Sequence, residues 1–182
     1  MRSVLFKIKI DESLSLVIPR LSCAPEIFRL IDKDRDHLRV WLPWVDSTTT
    51  AEDTRKNIYD RIEGFKKMEQ ASFYGTLNGE FVASVGFISL TDNAGEIGYW
   101  LLSKYGGKGL MTLFVKACIE YGFKKLKLNK IVIKCAEENT KSAAIPKRLG
   151  FTQSGRNETK RNRNGREQGT LIFTLERNNW CK

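Results

Sequence analysis

Apolar residues recur along this chain at two periods, and the change from one to the other marks out its elements. Residues 14–21 form a dense apolar run that reads as a first strand. Residues 24–33 place Ile27, Leu30 and Ile31 at helical spacing. Residues 37–45 are aromatic and interrupted by Pro43, so a turn is expected there. Residues 47–50 offer N-cap side chains for a helix over about 51–68, with Ile58, Ile62 and Phe65 on one face. Residues 73–77 and 81–90 read as strands around Asn78-Gly79, a strong hairpin signal because both residues accept the positive φ of a tight turn. A strand over 96–102 leads to a central helix over 107–125, with Phe114, Cys118 and Tyr121 near one stripe. Residues 131–136 alternate as a buried strand, and Asn139 caps a short helix to Leu149. Residues 151–157 and 169–175 read as a strand pair around Asn164-Gly165. The order is strand, two helices, three antiparallel strands, helix, strand, helix, two strands: a mixed α/β chain. No repeat or linker divides it, so one domain over residues 1–182 is expected.

Chemistry concentrates in the stretch Glu96-Ile97-Gly98-Tyr99-Trp100-Leu101-Leu102-Ser103-Lys104-Tyr105-Gly106-Gly107-Lys108-Gly109-Leu110-Met111-Thr112. A glycine-rich turn opening a helix presents backbone N–H groups at the positive end of the helix dipole, which suits a phosphate or pyrophosphate. The two standard phosphate loops do not fit. A Walker loop needs Ser or Thr after its Gly-Lys, where this chain has Gly109; a dinucleotide fingerprint from Gly107 needs Gly at position 112, where it has Thr112. A second segment follows, Glu138-Asn139-Thr140-Lys141-Ser142-Ala143-Ala144-Ile145-Pro146-Lys147-Arg148-Leu149-Gly150-Phe151.

Together the two segments resemble the acetyl-CoA motifs of the GCN5-related N-acetyltransferases (GNAT): an Arg/Gln-x-x-Gly-x-Gly/Ala turn, then Asn-x-x-Ser and a short helix ending in Gly-Phe. The likeness spans roughly residues 12–177. It is nearest to the Rim-type branch, which acetylates N-termini of ribosomal proteins, through Trp41-Leu42-Pro43-Trp44, the Glu-Ile-Gly-Tyr-Trp strand and the Gly-Lys-Gly turn. The resemblance implies a central, mostly antiparallel mixed sheet flanked by helices, with parallel strands around 96–102 and 131–136 that splay apart. It also implies acetyl-CoA as the acetyl donor. Two positions depart from the pattern: Gly106 stands where Arg or Gln is usual, and Met111 where Gly or Ala is usual.

Site roles follow from the resemblance residue by residue. The backbone of Gly106, Gly107, Lys108, Gly109, Leu110, Met111 and Thr112 would take the pyrophosphate. The pantetheine arm would pair with the backbone at Trp100, Leu101 and Leu102, and Asn139 would bond it from the other side. Ser142 would lie near the thioester and offer a proton or hydrogen bond to the leaving thiolate. The oxyanion would meet a strand N–H, that of Trp100 or a neighbour. Glu96, on an otherwise apolar strand, is the candidate base, its pKa lifted by burial; a salt-bridged strand-end carboxylate is the competing reading. His37, Trp41, Trp44 and Tyr74 are candidate walls for the acceptor. Asp32, Asp34, Asp36, Asp46, Glu52 and Asp53 lie near that site in sequence.

Composition narrows the picture further. At 182 residues the chain suits one sizeable domain. No run approaches the eighteen apolar residues of a membrane span. Residues 1–10 lack the apolar core and cleavage site of a signal peptide, so a cytoplasmic location is expected. Cys23, Cys118, Cys135 and Cys181 form no Cys-x-x-Cys pair, and His37 is the one histidine, which argues against a metal centre. A cysteine relay is disfavoured, because Cys118 and Cys135 read as buried small hydrophobes. The net charge of +10 gathers around Lys124, Lys125, Lys127 and Lys130, and around Arg156, Lys160, Arg161, Arg163 and Arg166. Either cluster suits ribosomal RNA, coenzyme A phosphates or plain solvent. Without an RNP or zinc-finger signature, sequence-specific nucleic-acid binding is not expected.

Three functions stay open at this level. The first is acetylation of a protein N-terminus, with a ribosomal protein as partner. The second is acetylation of a small amine, such as a polyamine, amino acid or aminoglycoside. The third is a catalytically silent CoA-binding sensor. The family includes dimers, so a homodimer is a further expectation; no interface is legible in the sequence.

Overall fold

The chain opens with a strand that its sequence pattern did not announce. In the computed structural model, which describes residues 4–161 and 167–180, β1 (Val4–Lys9) alternates half-buried Val4, Phe6 and Ile8 with exposed Leu5, Lys7 and Lys9. It is one of the two edge strands, and its outward lysines suit an unpaired edge. The expectation for residues 1–10 stopped at the missing signal-peptide core and overlooked this period-2 alternation.

The elements then follow as β2 (Leu14–Pro19), α1 (Ala24–Lys33), α2 (Arg35–Leu38), α3 (Ala51–Lys66), β3 (Ala71–Leu77), β4 (Glu80–Leu90), β5 (Ala94–Leu101), α4 (Leu110–Lys124), β6 (Lys130–Ala136), α5 (Thr140–Arg148), β7 (Thr152–Arg161), β8 (Glu167–Glu176) and α6 (Arg177–Trp180). Eight strands form one sheet in the order β1-β2-β3-β4-β5-β6-β8-β7. Every neighbouring pair is antiparallel except β5–β6, which is parallel. This is the expected mixed, mostly antiparallel sheet flanked by helices.

Strand alternation divides the core into two layers. On one face Leu16, Phe73, Phe87, Ile97, Ile131 and Ile133 pack with Phe114, Cys118 and Ile119 of α4 and with Ala143 and Ile145 of α5. On the other, Val17, Tyr74 and Phe81 pack with Ile27 and Ile31 of α1 and Ile58 of α3. β2 lies between both layers, so all six of its residues are buried. Each fully buried Phe or Ile of these layers contributes roughly 1.5–3 kcal/mol.

Several boundaries move, each for a local reason. The central helix starts at Leu110 rather than 107, because Gly107 and Gly109 adopt φ of +76° and +73°, outside helical space. α3 stops at Lys66 instead of 68, where Met68 turns to φ +59°. Its start is set by a capping box in which the Thr50 side chain accepts from the Asp53 N–H and the Asp53 carboxylate accepts from the Thr50 N–H. The expected turn over 37–45 is instead the end of α2 and a 3-10 turn, Pro43–Asp46. Asn78 and Gly79 turn the β3–β4 hairpin with φ of +50° and +81°. Asn164-Gly165 and the basic residues Arg163 and Arg166 lie outside the described residues.

Candidate active site

The parallel pair comes apart half-way along. β5 and β6 are in register only from Ala94–Lys130 to Ile97–Ile133, yet β5 runs on to Leu101 and β6 to Ala136. Beyond Ile97 the ladder groups of β5 that face β6 have no strand opposite them. The Leu102 N–H donates to the Val82 carbonyl at 3.0 Å. By the alternation of an antiparallel ladder, the Trp100 N–H therefore points toward β4 as well, opposite Ser84. The groups that face the gap belong to Tyr99 and Leu101. Of the strand N–H groups expected to meet an oxyanion, those of Trp100 and its neighbours, it is the neighbours Tyr99 and Leu101 that face the gap.

The turn after β5 reaches the N-terminus of α4. Gly109 is the N-cap and no side chain caps the helix. The first N–H groups, on Leu110, Met111 and Thr112, are left for an external acceptor. A Cβ on Gly107 or Gly109 would meet nothing within 4 Å, so both glycines border open space. The departures from the family pattern leave this geometry intact. Met111 is 6% exposed and sends its side chain into the core, and the Gly106 N–H closes the preceding turn on Ser103. Lys104 and Lys108 stand 4.7 and 5.8 Å from the Tyr105 ring, bringing positive charge beside the turn.

Across the gap, Asn139 caps α5 by accepting from the Ser142 N–H at 3.1 Å. That oxygen is committed to the cap, which leaves the Asn139 amide hydrogens for a ligand. The Ser142 hydroxyl does not turn back on its own helix. It donates to the Tyr99 hydroxyl at 3.1 Å, and the Tyr99 hydroxyl donates to the Ser142 carbonyl at 3.0 Å. Burial pushes the Tyr99 phenol well above the ordinary tyrosine range, against a smaller opposing effect of Ser142. Cys135 sits beside this pair; burial raises its thiol, against smaller opposing effects of Ser142 and Lys147. Cys118 is fully buried in the core, which raises its thiol.

The opposite face of β5 closes a cavity of about 440 Å³. Tyr74, Ser84, Gly98 and Trp100 form its floor, and Trp44, Thr54 and Arg61 rise from the helical layer. The Trp100 ring lies 6.3 Å from that of Trp44 and 6.4 Å from that of Tyr74. Of the expected acceptor walls, Trp44 and Tyr74 line this cavity; His37 and Trp41 do not. They lie on and just after α2, and His37 is exposed.

The six carboxylates that sequence placed nearby are also turned away from the cavity. Asp32 pairs with Arg35, Asp36 and Asp46 with Arg39, and Glu52 with Arg55. Asp53 belongs to the capping box. Asp34 accepts from both the N–H and the hydroxyl of Ser103, fastening α1 to the end of β5.

The acetyltransferase (GNAT) domain model matches residues 14–152. The chain belongs to the GNAT acetyltransferase family. It is 30% identical to the ribosomal-protein-serine acetyltransferase of Escherichia coli strain K12, covering 81% of this chain and 84% of that protein. Among solved structures, the microcin C7 self-immunity acetyltransferase MccE, in complex with acetyl-CoA and AMP, superposes with a TM-score of 0.86 at 25% identity, covering 93% of this chain and 95% of that one. RimL, a ribosomal L7/L12 α-N-protein acetyltransferase in complex with coenzyme A, superposes with a TM-score of 0.89 at 24% identity, covering 94% of this chain and 98% of that one. The RimL likeness speaks to the fold.

In this GNAT chain, Glu96 forms an ion pair with Lys134 at 2.6 Å, and its side chain is 26% exposed. It shares a strand face with Gly98 and Trp100, two residues of the cavity floor, and does not itself line the cavity. The ion pair is the competing reading of Glu96, a salt-bridged strand carboxylate, and it stands one step along the strand face from the cavity floor. Sequence reasoning missed Tyr99, Thr54 and Arg61. Tyr99 lies 43 positions from Ser142, and only the alternation of β5 could have hinted that its ring faces away from the Trp100 side. No helix among the described residues is long and apolar enough to cross a membrane.

Proposed function

We propose that this chain is a cytoplasmic enzyme that moves the acetyl group of acetyl-CoA to the N-terminal α-amine of a ribosomal protein, by direct attack with both substrates bound. The observation that carries this is the gap between β5 and β6 opening onto the uncapped N-terminus of α4. A long amide-bearing thioester arm that leads to a pyrophosphate matches those two features in that order. The thioester supplies an activated acetyl group, and the residues around it do the rest.

The N–H groups of Leu110, Met111 and Thr112 would take phosphate oxygens, and Gly107 and Gly109 let backbone approach them without a Cβ in the way. The backbone of Tyr99 and Leu101 offers strand-like pairing to an amide chain, with the Asn139 amide on the far side. Their N–H groups also face the region where negative charge develops on the carbonyl oxygen. Ser142 would supply a hydrogen bond or proton to the departing sulfur. The α-amine loses its proton near pH 8, so Glu96, directly or through water, need only take a proton already loosely held. Direct attack is favoured over a cysteine relay because burial raises both core thiols, which keeps them as weakly nucleophilic thiols.

The ribosomal acceptor rests on the named relatives together with the cavity. A polycation needs an acidic pocket, and Asp60 is the one carboxylate among the cavity's described walls. The test is calorimetric titration with acetyl-CoA, followed by free-thiol release over ribosomal N-terminal peptides, spermidine and aminoglycosides. Thiol release on a peptide is expected. Release confined to the small amines overturns the acceptor, and binding without release on any amine overturns the enzyme.

A further inference from the structure

The acceptor cavity carries a positive charge without a carboxylate partner. Arg61, from α3, is half-buried in its wall. Its Nη1 donates to the Ser84 hydroxyl at 2.8 Å, and its guanidinium carbon stands 5.0 Å from the centre of the Tyr74 ring. These two contacts fix the group on the cavity floor and use one of its five N–H donors. Arg61 forms no ion pair among the described residues, and exposed Asp60, in the same wall, lies beyond ion-pair distance of it.

Two further polar groups in the same cavity also lack protein partners. Thr54 is 2% exposed, and its Oγ1 has no hydrogen bond. The Trp100 Nε1 is likewise buried and unpartnered. Buried polar groups are nearly always satisfied, and each such exception calls for a partner. Those two atoms are enclosed by protein, so Arg61, with one of its five N–H donors spent on Ser84, is the donor group the cavity presents to carboxylate oxygens.

We infer that Arg61 selects acceptors bearing a carboxylate side chain close to the reacting amine. This rests on the peptide-acceptor reading above and makes it narrower. The distance along the peptide follows from the sheet. Arg61 sits over Tyr74 on β3 and Ser84 on β4, one to two strand spacings from β5. That is roughly 5–10 Å. An extended residue covers about 3.3–3.6 Å, so the acidic side chain belongs at the second or third residue. A lysine there meets like charge.

The experiment compares tetrapeptides beginning with Ser that carry Asp, Gln or Lys at the second or third position, read as kcat/KM by thiol release. The native protein is expected to prefer Asp over Lys by about tenfold to a hundredfold, the range of a charge-assisted hydrogen bond, mainly through KM. Arg61→Glu should reverse that order, and Arg61→Lys should keep it in weakened form. Acetyl-CoA titration and a thermal melt establish that each variant is folded. Equal rates on the Asp and Lys peptides, or a preference for Lys, with the native protein overturn the role of Arg61 while leaving N-terminal acetylation standing. Turnover on spermidine with none on any peptide overturns both readings together.

Discussion

The side-chain hydroxyls of Tyr99 and Ser142 lie 3.1 Å apart, joining β5 to the first turn of α5 across the splayed gap. Ser142 donates in that contact, so its proton points at Tyr99. To serve a thiolate, the Ser142 hydroxyl has to rotate, and the phenol then holds its oxygen in place. Ser142→Ala is expected to lower kcat about a hundredfold, the lower range of a positioned proton donor. Tyr99→Phe should cost about fivefold, the equivalent of one neutral hydrogen bond of about 1 kcal/mol. Acetyl-CoA affinity, measured calorimetrically, should hold in both. A Tyr99→Phe enzyme with less activity than Ser142→Ala would make the phenol the donor.

The same phenol gives the fold an alkaline limit. Burial raises the Tyr99 pKa, and also that of Tyr74. An unfolded tyrosine ionises near pH 10. Below that pH both states keep the proton and the stabilisation is fully present. As pH rises above 10 the unfolded state releases protons that the folded state retains, so stability falls. Denaturant midpoints from pH 8 to 11.5 should decline above about pH 10. The decline should be shallower in Tyr99→Phe. A midpoint that stays flat through pH 11 would contradict the buried environment of both rings.

Much of this architecture was legible because the chain alternates cleanly between periods. The hairpin at Asn78-Gly79, the helix cap at Asn139 and the strand leading into the glycine turn all depend on local chemistry, and local chemistry is written in sequence order. β1 was missed because its alternation includes an outward Leu5 beside the lysines, which blurs a short edge strand. The acceptor site was only half legible. Trp44 and Tyr74 line the cavity, but whether a side chain turns inward depends on the angle between α3 and the sheet. The acidic residues before and within α3 lie near the site in sequence, but local arginines and caps consume them. Arg61, which brings a guanidinium without an ion pair among the described residues into the cavity wall, looked like one more basic residue on a solvated helix.

Gly109 offers a clean separation of folding from ligand binding. Its φ of +73° disfavours any residue with a Cβ, by roughly 1–2 kcal/mol. A Cβ there would meet no atom beyond its chain neighbours within 4 Å, so Gly109→Val adds that backbone strain without a clash at Cβ. The expected outcome is a modestly lower melting temperature and a much weaker affinity for acetyl-CoA, because the added methyl groups occupy the approach to the α4 N-terminus. Native affinity in a folded variant would move the phosphate site elsewhere.

Glu96 and Lys134 allow the base to be tested against its own salt bridge. If the carboxylate takes the proton from the amine, Glu96→Gln should lower kcat by about a hundredfold near neutral pH and leave acetyl-CoA affinity unchanged. The rate should then climb more steeply above neutrality, because only amine that has already lost its proton, with a pKa near 8, remains reactive. Lys134→Met isolates the other half of the pair. A carboxylate engaged by an ammonium at 2.6 Å has to share its lone pairs with it, and removal of the ammonium frees them for the incoming proton. Lys134→Met should therefore keep most of the native kcat on either reading, which leaves Glu96→Gln as the variant whose pH–rate profile decides between them. A purely structural pair predicts a different pattern. The side chains are 40% and 26% exposed, so either variant would lose only about 0–1 kcal/mol of stability. The two pH–rate profiles would then coincide with that of the native enzyme, and the proton would leave through water held elsewhere on the cavity floor.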